Sequence, residues 1–501
     1  MPEAFADTAV LVEAALVAAA PWPLVTAVWR RQTRAPGRPL RPLCLAIAVA
    51  LAWGALLRLL ASRPVPVHLV AGLAVTGLAI WWWRQRPAYG RRRGLPPGSL
   101  RPLEAGLWGD PLALCERARR HGPVFKMQPT LEPFVCVVGF DLARDLLRDH
   151  DDGLAARLWP ATREVPGGFL RFMRGDDHRR VRRPIVAAMR ADLVGPNIAT
   201  LRDIARRGLS RLSAPDAVAQ RVALRDTAEA WLAVVLFGIG PDDPLLPRLR
   251  AHLPAPEAHD RTPLIRSCRP GAMAAGIALL RARNGEPANR ECVAARLAAD
   301  ARGDEILGNL FMMLQVGAFD LASLLRWLLY YLAHHPDLPA RLRGSAPAAR
   351  AALARACVQE TLRLDQAEAV MRKAVADVRF GGWTIPKGWG VRICLREPHR
   401  DPAAFARPDA YEPDRFLARP PSGAVYAPFG MGAHACIAGE LVVALGGLLV
   451  EELATGFDLA IAADGHRVLG TYHWEPAAGF AVRLTPRAAP DGYGRPGAVA
   501  M

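Results

Sequence analysis

The sequence predicts a mainly α-helical body with a minor β part, preceded by about three transmembrane helices. Three observations carry this prediction: three apolar runs of membrane-spanning length in the first 84 residues, a basic Pro/Gly-rich break after them, and long helical-period runs with few strand-like ones beyond residue 100. With 501 residues, 51% hydrophobic and 22% charged, the chain can bury a large core, which excludes a peptide ligand, a disordered chain or a fibrous repeat.

The apolar runs cover residues 9–29, 43–61 and 65–83. Each is about long enough to cross roughly 30 Å of hydrocarbon at about 1.5 Å per residue. The first contains Glu13, Pro21 and Pro23; the second holds Arg58 near its end, where the side chain can snorkel; the third ends in Trp81, Trp82 and Trp83, a cluster suited to the interfacial belt. Alternate flanks are basic: Arg30, Arg31, Arg34, Arg38 and Arg41 follow the first run, only Arg63 follows the second, and Arg84, Arg86, Arg91, Arg92 and Arg93 follow the third. By the positive-inside rule the N-terminus is outside and the catalytic body cytoplasmic, a multi-pass protein of the cell membrane. A secretory signal followed by a soluble hairpin fits less well, because Glu3 and Asp7 stand where a signal carries basic residues.

The net charge of +17 has the same origin. Residues 1–99 hold twelve arginines and three acids, so +9 lies there and +8 in the other 402 residues. Arginines that flank apolar runs mark membrane orientation, and no nucleic-acid partner is expected. The organisation that follows is a membrane region at 1–84, a linker at 85–102, a catalytic domain at 103–487 and a flexible tail at 488–501. Eight scattered cysteines without CxxC or paired spacing suggest neither a zinc site nor a disulfide framework. Seven of them read as small buried hydrophobes, and Cys436 does not.

Within the body, helical runs are expected over 304–333, 347–364 and 439–455, and strands over 134–138, 388–395 and 479–484. The strongest chemical signal is Pro428-Phe429-Gly430-Met431-Gly432-Ala433-His434-Ala435-Cys436-Ile437-Ala438-Gly439, just before an apolar helix. Its glycines permit a tight turn, and a thiolate at a helix N-terminus is stabilised by the dipole, which suits a soft axial ligand for iron. A buried cysteine beside a glycine-rich turn is the alternative for that segment alone.

This segment resembles the heme-binding signature of the cytochrome P450 family, F-x-x-G-x-(R/H)-x-C-x-(G/A), matched by Phe429, Gly432, His434, Cys436 and Ala438. The resemblance implies heme b with Cys436 as proximal thiolate, His434 at a propionate and Phe429 beneath the sulfur. Glu360-Thr361-Leu362-Arg363 places an acid and a base on one helical face. In the family this pair joins an arginine from a PERF-like segment, here Glu412-Pro413-Asp414-Arg415-Phe416, so Glu360, Arg363 and Arg415 are expected to form a structural triad. His178 and Arg182, one helical turn apart, and Arg372, just beyond the triad helix, are expected at the heme carboxylates by the same resemblance.

The distal helix departs from the family pattern (A/G)-G-x-(D/E)-T-(T/S). Here Val316-Gly317-Ala318-Phe319-Asp320-Leu321-Ala322-Ser323 puts Phe319 in the place of the acid and Asp320 in that of the threonine. Dioxygen activation consumes two protons, which an acid–alcohol pair normally delivers through ordered water. Asp320 can take over that delivery if burial raises its pKa, with Ser323 a weaker substitute one turn on. The resemblance, spanning roughly residues 95–485, therefore implies a membrane-bound monooxygenase of specialised metabolism that oxidises a lipophilic terpenoid, polyketide or acyl-type molecule at the lipid bilayer, with a ferredoxin or flavin reductase as electron donor. A peroxygenase, isomerase or dehydratase is the alternative raised by Phe319 and Asp320, and a non-enzymatic heme-binding sensor a further one. Helix phase puts Met313, Val316, Gly317 and Phe319 along the pocket, with Trp474 and Pro476 near substrate at the C-terminal turn.

Overall fold

The computed structural model describes residues 94–100, 112–128, 132–156, 164–253, 271–284, 291–300, 302–366, 369–418, 422–469 and 474–487. The three expected spans, the linker up to residue 93, the tail and Cys44 and Cys268 lie outside the described residues. The chain divides into two units between residues 93 and 94. Residues 94–100, read from sequence as linker, are bonded into the body. Thr384 N donates to Gly94 O (2.7 Å), Lys126 N donates to Pro97 O (2.7 Å), and the Lys126 ammonium donates to Pro96 O. Proline and glycine here shape an edge contact instead of a free tether.

Six helices position the site: α1 Gly175–Ala188, α2 Ile198–Ser210, α3 Ala217–Phe237, α4 Gly303–His334, α5 Pro347–Thr361 and α6 Gly439–Gly456. The longest, α4, has leucine on nearly every side and few β-branched residues, so propensity and burial agree. Asp304 and Glu305 oppose its N-terminal dipole, and it stops at His335, whose α-conformation Pro336 disfavours. Among the described residues α4 is the helix long and apolar enough to cross a membrane, but 67% of its most apolar window is buried inside the body. It packs on α3, α5 and α6 as the core helix. Helix α3 starts at Asp216, whose side chain accepts from Val218 N and Ala219 N, and ends at Gly238 in the left-handed region.

A five-stranded sheet in the order β1-β2-β7-β4-β3 flanks the helices. It comprises β1 Val124–Met127, β2 Phe134–Val138, β3 Leu154–Ala156, β4 Ala369–Ala374 and β7 Gly390–Cys394. β2 and β7 run parallel; the other neighbours are antiparallel, with Ala156 opposite Arg372 in the β3–β4 register. Two-stranded ladders join β5 Val378–Phe380 to β6 Trp383–Ile385, β8 Phe457–Ala463 to β11 Ala481–Pro486, and β9 Arg467–Leu469 to β10 Trp474–Pro476. The expected strand at 388–395 shortens because Gly388 takes a positive φ of 87° and turns the chain. The expected helix at 347–364 ends at Thr361 and passes into a π-helical turn, Leu362–Gln366.

Candidate functional site

The π turn follows a charge network that is fully buried at its centre. Arg363 and Glu360 are both 0% exposed. Arg363 Nε and Nη2 donate to the two Glu360 oxygens at 2.7 and 2.9 Å, and the remaining guanidinium hydrogens reach the carbonyls of His399, Pro408 and Ala410. Arg415 Nε donates to Glu360 Oε1 at 3.0 Å, and Glu412 N reaches the same oxygen at 2.8 Å. Glu360 and Arg363, singled out by spacing, and Arg415, expected from the resemblance, therefore meet as one network.

His399, which sequence reasoning did not single out, connects this network to the cysteine loop. Its carbonyl accepts from Arg363, and its Nε2 accepts from Ala427 N (3.0 Å), two residues before Phe429. Full burial, then the charges of Arg363 and Arg400, lower its pKa to about 3, so it stays a neutral acceptor. Replacing His399 by leucine strands the Ala427 N–H and is expected to cost about 1–3 kcal/mol in chemical denaturation, with His399→Gln recovering part through its amide oxygen. Equal stability of the leucine variant would show that the bond contributes nothing.

The loop that follows is shaped by glycine. Gly430 and Gly432 have φ of 75° and 71°, which side-chain-bearing residues rarely adopt. Cys436 N donates to Phe429 O at 2.9 Å, closing the loop, and a Cβ on Gly439 would lie 2.9 Å from the Phe429 ring. Cys436 then stands three residues before α6. Its side chain is accessible although the surrounding chain desolvates it, so the sulfur faces a hollow inside the body. Desolvation pushes the thiol up; the Ala438 N–H and the charges of Arg182 and Arg171 act downward, and Asp320 acts upward. Of the other described cysteines, Cys136, Cys292, Cys357 and Cys394 are buried as expected, and Cys115 is half-buried.

The charge of Asp320, on α4, reaches Cys436 and opposes its thiolate form. Along the middle of α4 the accessible positions Met313, Val316, Gly317 and Asp320 recur at i, i+3, i+4 and i+7, a stripe on a mostly buried helix. Phe319 lies at its edge, with the Arg225 guanidinium of α3 centred 6.0 Å from its ring. Ser323 is buried one turn further on. Trp474 is buried in β10, where its carbonyl accepts from Trp327 Nε1 of α4 (2.8 Å), and Pro476 is buried two residues on.

On the flank of the hollow the cations converge. The His178 and His434 rings are 4.0 Å apart, and Arg182 Nη2 donates to Ala435 O at 2.6 Å. Burial, followed by the charges of His178, Arg372, Arg182 and Arg171, lowers His434 to about 3. Burial and then Arg171 lower Arg372 to about 10. His178 is 3% exposed and its Nε2 has no hydrogen-bond partner. Asp151 is a carboxylate whose charge acts on both His178 and Arg372, and it leaves the cluster strongly positive. An orphaned buried nitrogen and crowded cations beside an accessible thiol fit a group that carries two carboxylates and binds sulfur, as heme b does. Arg171 was missed by the sequence reading, because no motif spacing joins it to His178 seven residues later; only folding brings it to the cluster.

A family model, Cytochrome P450, matches residues 300–441. Abscisic acid 8'-hydroxylase 3 of Oryza sativa subsp. indica is 31% identical over 183 residues, 33% of this chain and 36% of that protein, so the chain aligns with about a third of that relative's length. Ent-kaurenoic acid oxidase of Oryza sativa subsp. japonica is 26% identical over 447 residues, 77% of this chain and 87% of that protein. Among solved structures, retinoic acid bound cyanobacterial CYP120A1 superposes with a TM-score of 0.63 at 21% identity, covering 79% of this chain and 100% of that one, which is a likeness of fold. With the thiol, the cation cluster and the buried acid–arginine network in place, the chain is similar to the cytochrome P450 family, whose members hold heme b by a cysteine thiolate.

Proposed function

We propose that the protein is a membrane-attached heme-thiolate monooxygenase that oxidises a lipophilic small molecule of terpenoid type. The observation that carries this reading is the accessible Cys436 thiol, within electrostatic reach of Asp320 and beside a cluster of buried and half-buried cations. In it Cys436 ligates iron, the turn at Gly432 and the Phe429 ring hold the loop, and His434, His178, Arg182 and Arg372 receive the propionates. Glu360, Arg363 and Arg415 fix the scaffold. Heme, when bound, supplies the dioxygen chemistry, and the protein supplies orientation, an apolar stripe and protons. The names of the two plant relatives above support a terpenoid substrate.

Asp320 is the group that holds and passes a proton at its carboxyl oxygen in this reading, with Ser323 behind it. Asp320→Asn keeps the shape of the side chain and removes the acid, so coupled product formation is expected to fall by about 10²–10⁴-fold with the heme spectrum preserved. Turnover unchanged by the substitution would remove Asp320 from proton delivery. A second reading, a peroxygenase, isomerase or dehydratase, is favoured by Phe319 in the place of the acid. Turnover under ¹⁸O₂ with a surrogate reductase separates the two: label in the product supports the monooxygenase, and unlabelled product supports the second reading.

Electrons in this proposal come from a ferredoxin or flavin reductase. The three N-terminal spans, with the catalytic domain on the cytoplasmic side, belong to the proposal as well. Their support is the alternation of basic flanks.

A further inference from the structure

Helical phase carries the stripe of α4 beyond Asp320, through Leu324 to Trp327, seven residues and about 10 Å further along the axis. Trp327 is fully buried, and its Nε1 donates to Trp474 O at 2.8 Å. A set of oxidisable rings starts at its indole. The Tyr331 ring stacks on it at 5.8 Å between centroids, while the Tyr330 ring meets it edge-on at 5.2 Å and lies 5.5 Å from Tyr331. Tyr411 stacks on Tyr331 at 4.1 Å with 6° between the planes. Tyr331 and Tyr411 are buried, whereas Tyr330 is half-buried and lies 4.2 Å from the ring of the partly exposed His334.

The polar end of Tyr331 differs from that of its neighbours. Arg467 Nη2 donates to the phenol oxygen at 2.8 Å, and the phenol's own hydrogen goes to Asp365 Oδ2. Asp365 is 0% exposed; burial works against its charge, but Arg467, Arg396 and Arg400 outweigh burial and hold it ionised, with its pKa below the usual carboxylate range. Tyr411, by contrast, donates to a carbonyl, Cys357 O, at 2.9 Å, a far weaker base. The difference matters on oxidation, because a phenol that has lost an electron is a strong acid and persists as a radical only once its proton has left. Tyr331 has a carboxylate within a hydrogen bond and sealed from solvent, so the proton can return with the electron. Close packing alone accounts for stacked rings. It requires neither the ring types that oxidise most readily nor a buried carboxylate at one phenol.

We propose that Trp327, Tyr331 and Tyr330 form an electron path that drains oxidising equivalents from the heme pocket when peroxide acts on the enzyme without substrate. The inference rests on the heme-thiolate site and holds for either reading of the reaction. Trp327 relays, Tyr331 holds the radical, and Tyr330 admits an electron from a small reductant such as ascorbic acid. In each turn one electron leaves the Tyr331 ring through Trp327 towards the heme, and the phenolic proton moves to Asp365 Oδ2, giving a neutral tyrosyl radical and a carboxylic acid. An electron from ascorbic acid through Tyr330 then restores the phenol, which takes its proton back from Asp365. Two turns convert one hydrogen peroxide to two waters and one ascorbic acid to dehydroascorbic acid, whose two released protons are those the peroxide takes up. What the path protects is the heme and the accessible Cys436 sulfur, which an oxidant with no substrate to consume it would attack.

The test mixes substrate-free, full-length ferric holoprotein with hydrogen peroxide, freezes it within milliseconds and reads the radical by electron paramagnetic resonance. A tyrosyl signal is expected in the wild type, narrowed when the tyrosines are ring-deuterated. Tyr331→Phe keeps the ring, removes the phenol and should lose that signal. Trp327→Phe should lose most of it, and Tyr330→Phe should keep it but lose its rapid quenching by ascorbic acid. Tyr331→Phe and Trp327→Phe should also lose their Soret absorbance to peroxide several-fold faster than wild type, starting from the same heme content and the same reduced carbon-monoxide spectrum. A wild type with an intact thiolate band and no tyrosyl radical would overturn the proposal without any variant being needed. So would a radical and a bleaching rate that neither substitution changes. Absence of the thiolate band itself would overturn the heme-thiolate reading, and this proposal with it.

Discussion

Cys436→Ser is expected to abolish the thiolate-type Soret band of the reduced, carbon-monoxide-bound protein and all dioxygen-dependent turnover, while the body remains folded. The expectation follows from how little of the loop the sulfur holds up. The turn is closed through backbone, by Cys436 N on Phe429 O, and shaped by the positive φ of Gly430 and Gly432. A hydroxyl in place of the thiol leaves each of those features intact and occupies less space in a region that is already hollow. What changes is the donor: a serine hydroxyl is harder than sulfur and is not deprotonated near neutral pH, so it is a poor axial ligand for heme iron. Far-ultraviolet circular dichroism and the urea midpoint should stay close to wild type. A thiolate band that survives the substitution would require another cysteine as ligand, and Cys136, Cys292, Cys357 and Cys394 are buried with no accessible sulfur to offer.

The site joins parts of the chain that are far apart in sequence, and this determines what could be read beforehand. The cysteine loop and the Glu360–Arg363 pair were legible because their residues are local. Three-residue helical spacing faces an acid to a base, and glycines at fixed offsets announce a loop. The long core helix was legible from its apolar run, and so was the stripe of Met313, Val316 and Gly317, from helical phase. Arg171, His399 and Asn309 were not, because each acts through a backbone atom or a field whose partner lies in another element. Leu170 N meets Asn309 across 139 residues, and Ala427 N meets His399 across 28. The π turn after Thr361 was also invisible, since one extra residue per turn leaves no mark on the apolar pattern. Residues 94–100 show the converse error: composition read them as a tether, and pairing with Lys126 and Thr384 makes them an edge of the body.

Removing one member of the buried network is expected to be as damaging as removing the sulfur, by another route. Arg363→Leu would leave the Glu360 carboxylate at 0% exposure with only Arg415 and the Glu412 N–H to stabilise it. It would also strand the carbonyls of His399, Pro408 and Ala410. A buried pair broken on one side costs about 3–5 kcal/mol, and each stranded acceptor adds to that, against a typical total of about 5–15 kcal/mol for a domain. The urea midpoint should therefore fall sharply and heme content per chain should drop, since His399 carries the network to the cysteine loop. Arg363→Lys is expected to recover little, because one ammonium cannot reproduce two parallel bonds to Glu360 and three to carbonyls. The pair Glu360→Gln with Arg363→Met removes both charges and should cost less than the two single substitutions summed, a coupling that a double-mutant cycle reads directly. Additive costs would mean that the two side chains do not act as a unit, and that the network holds the fold through its backbone contacts alone.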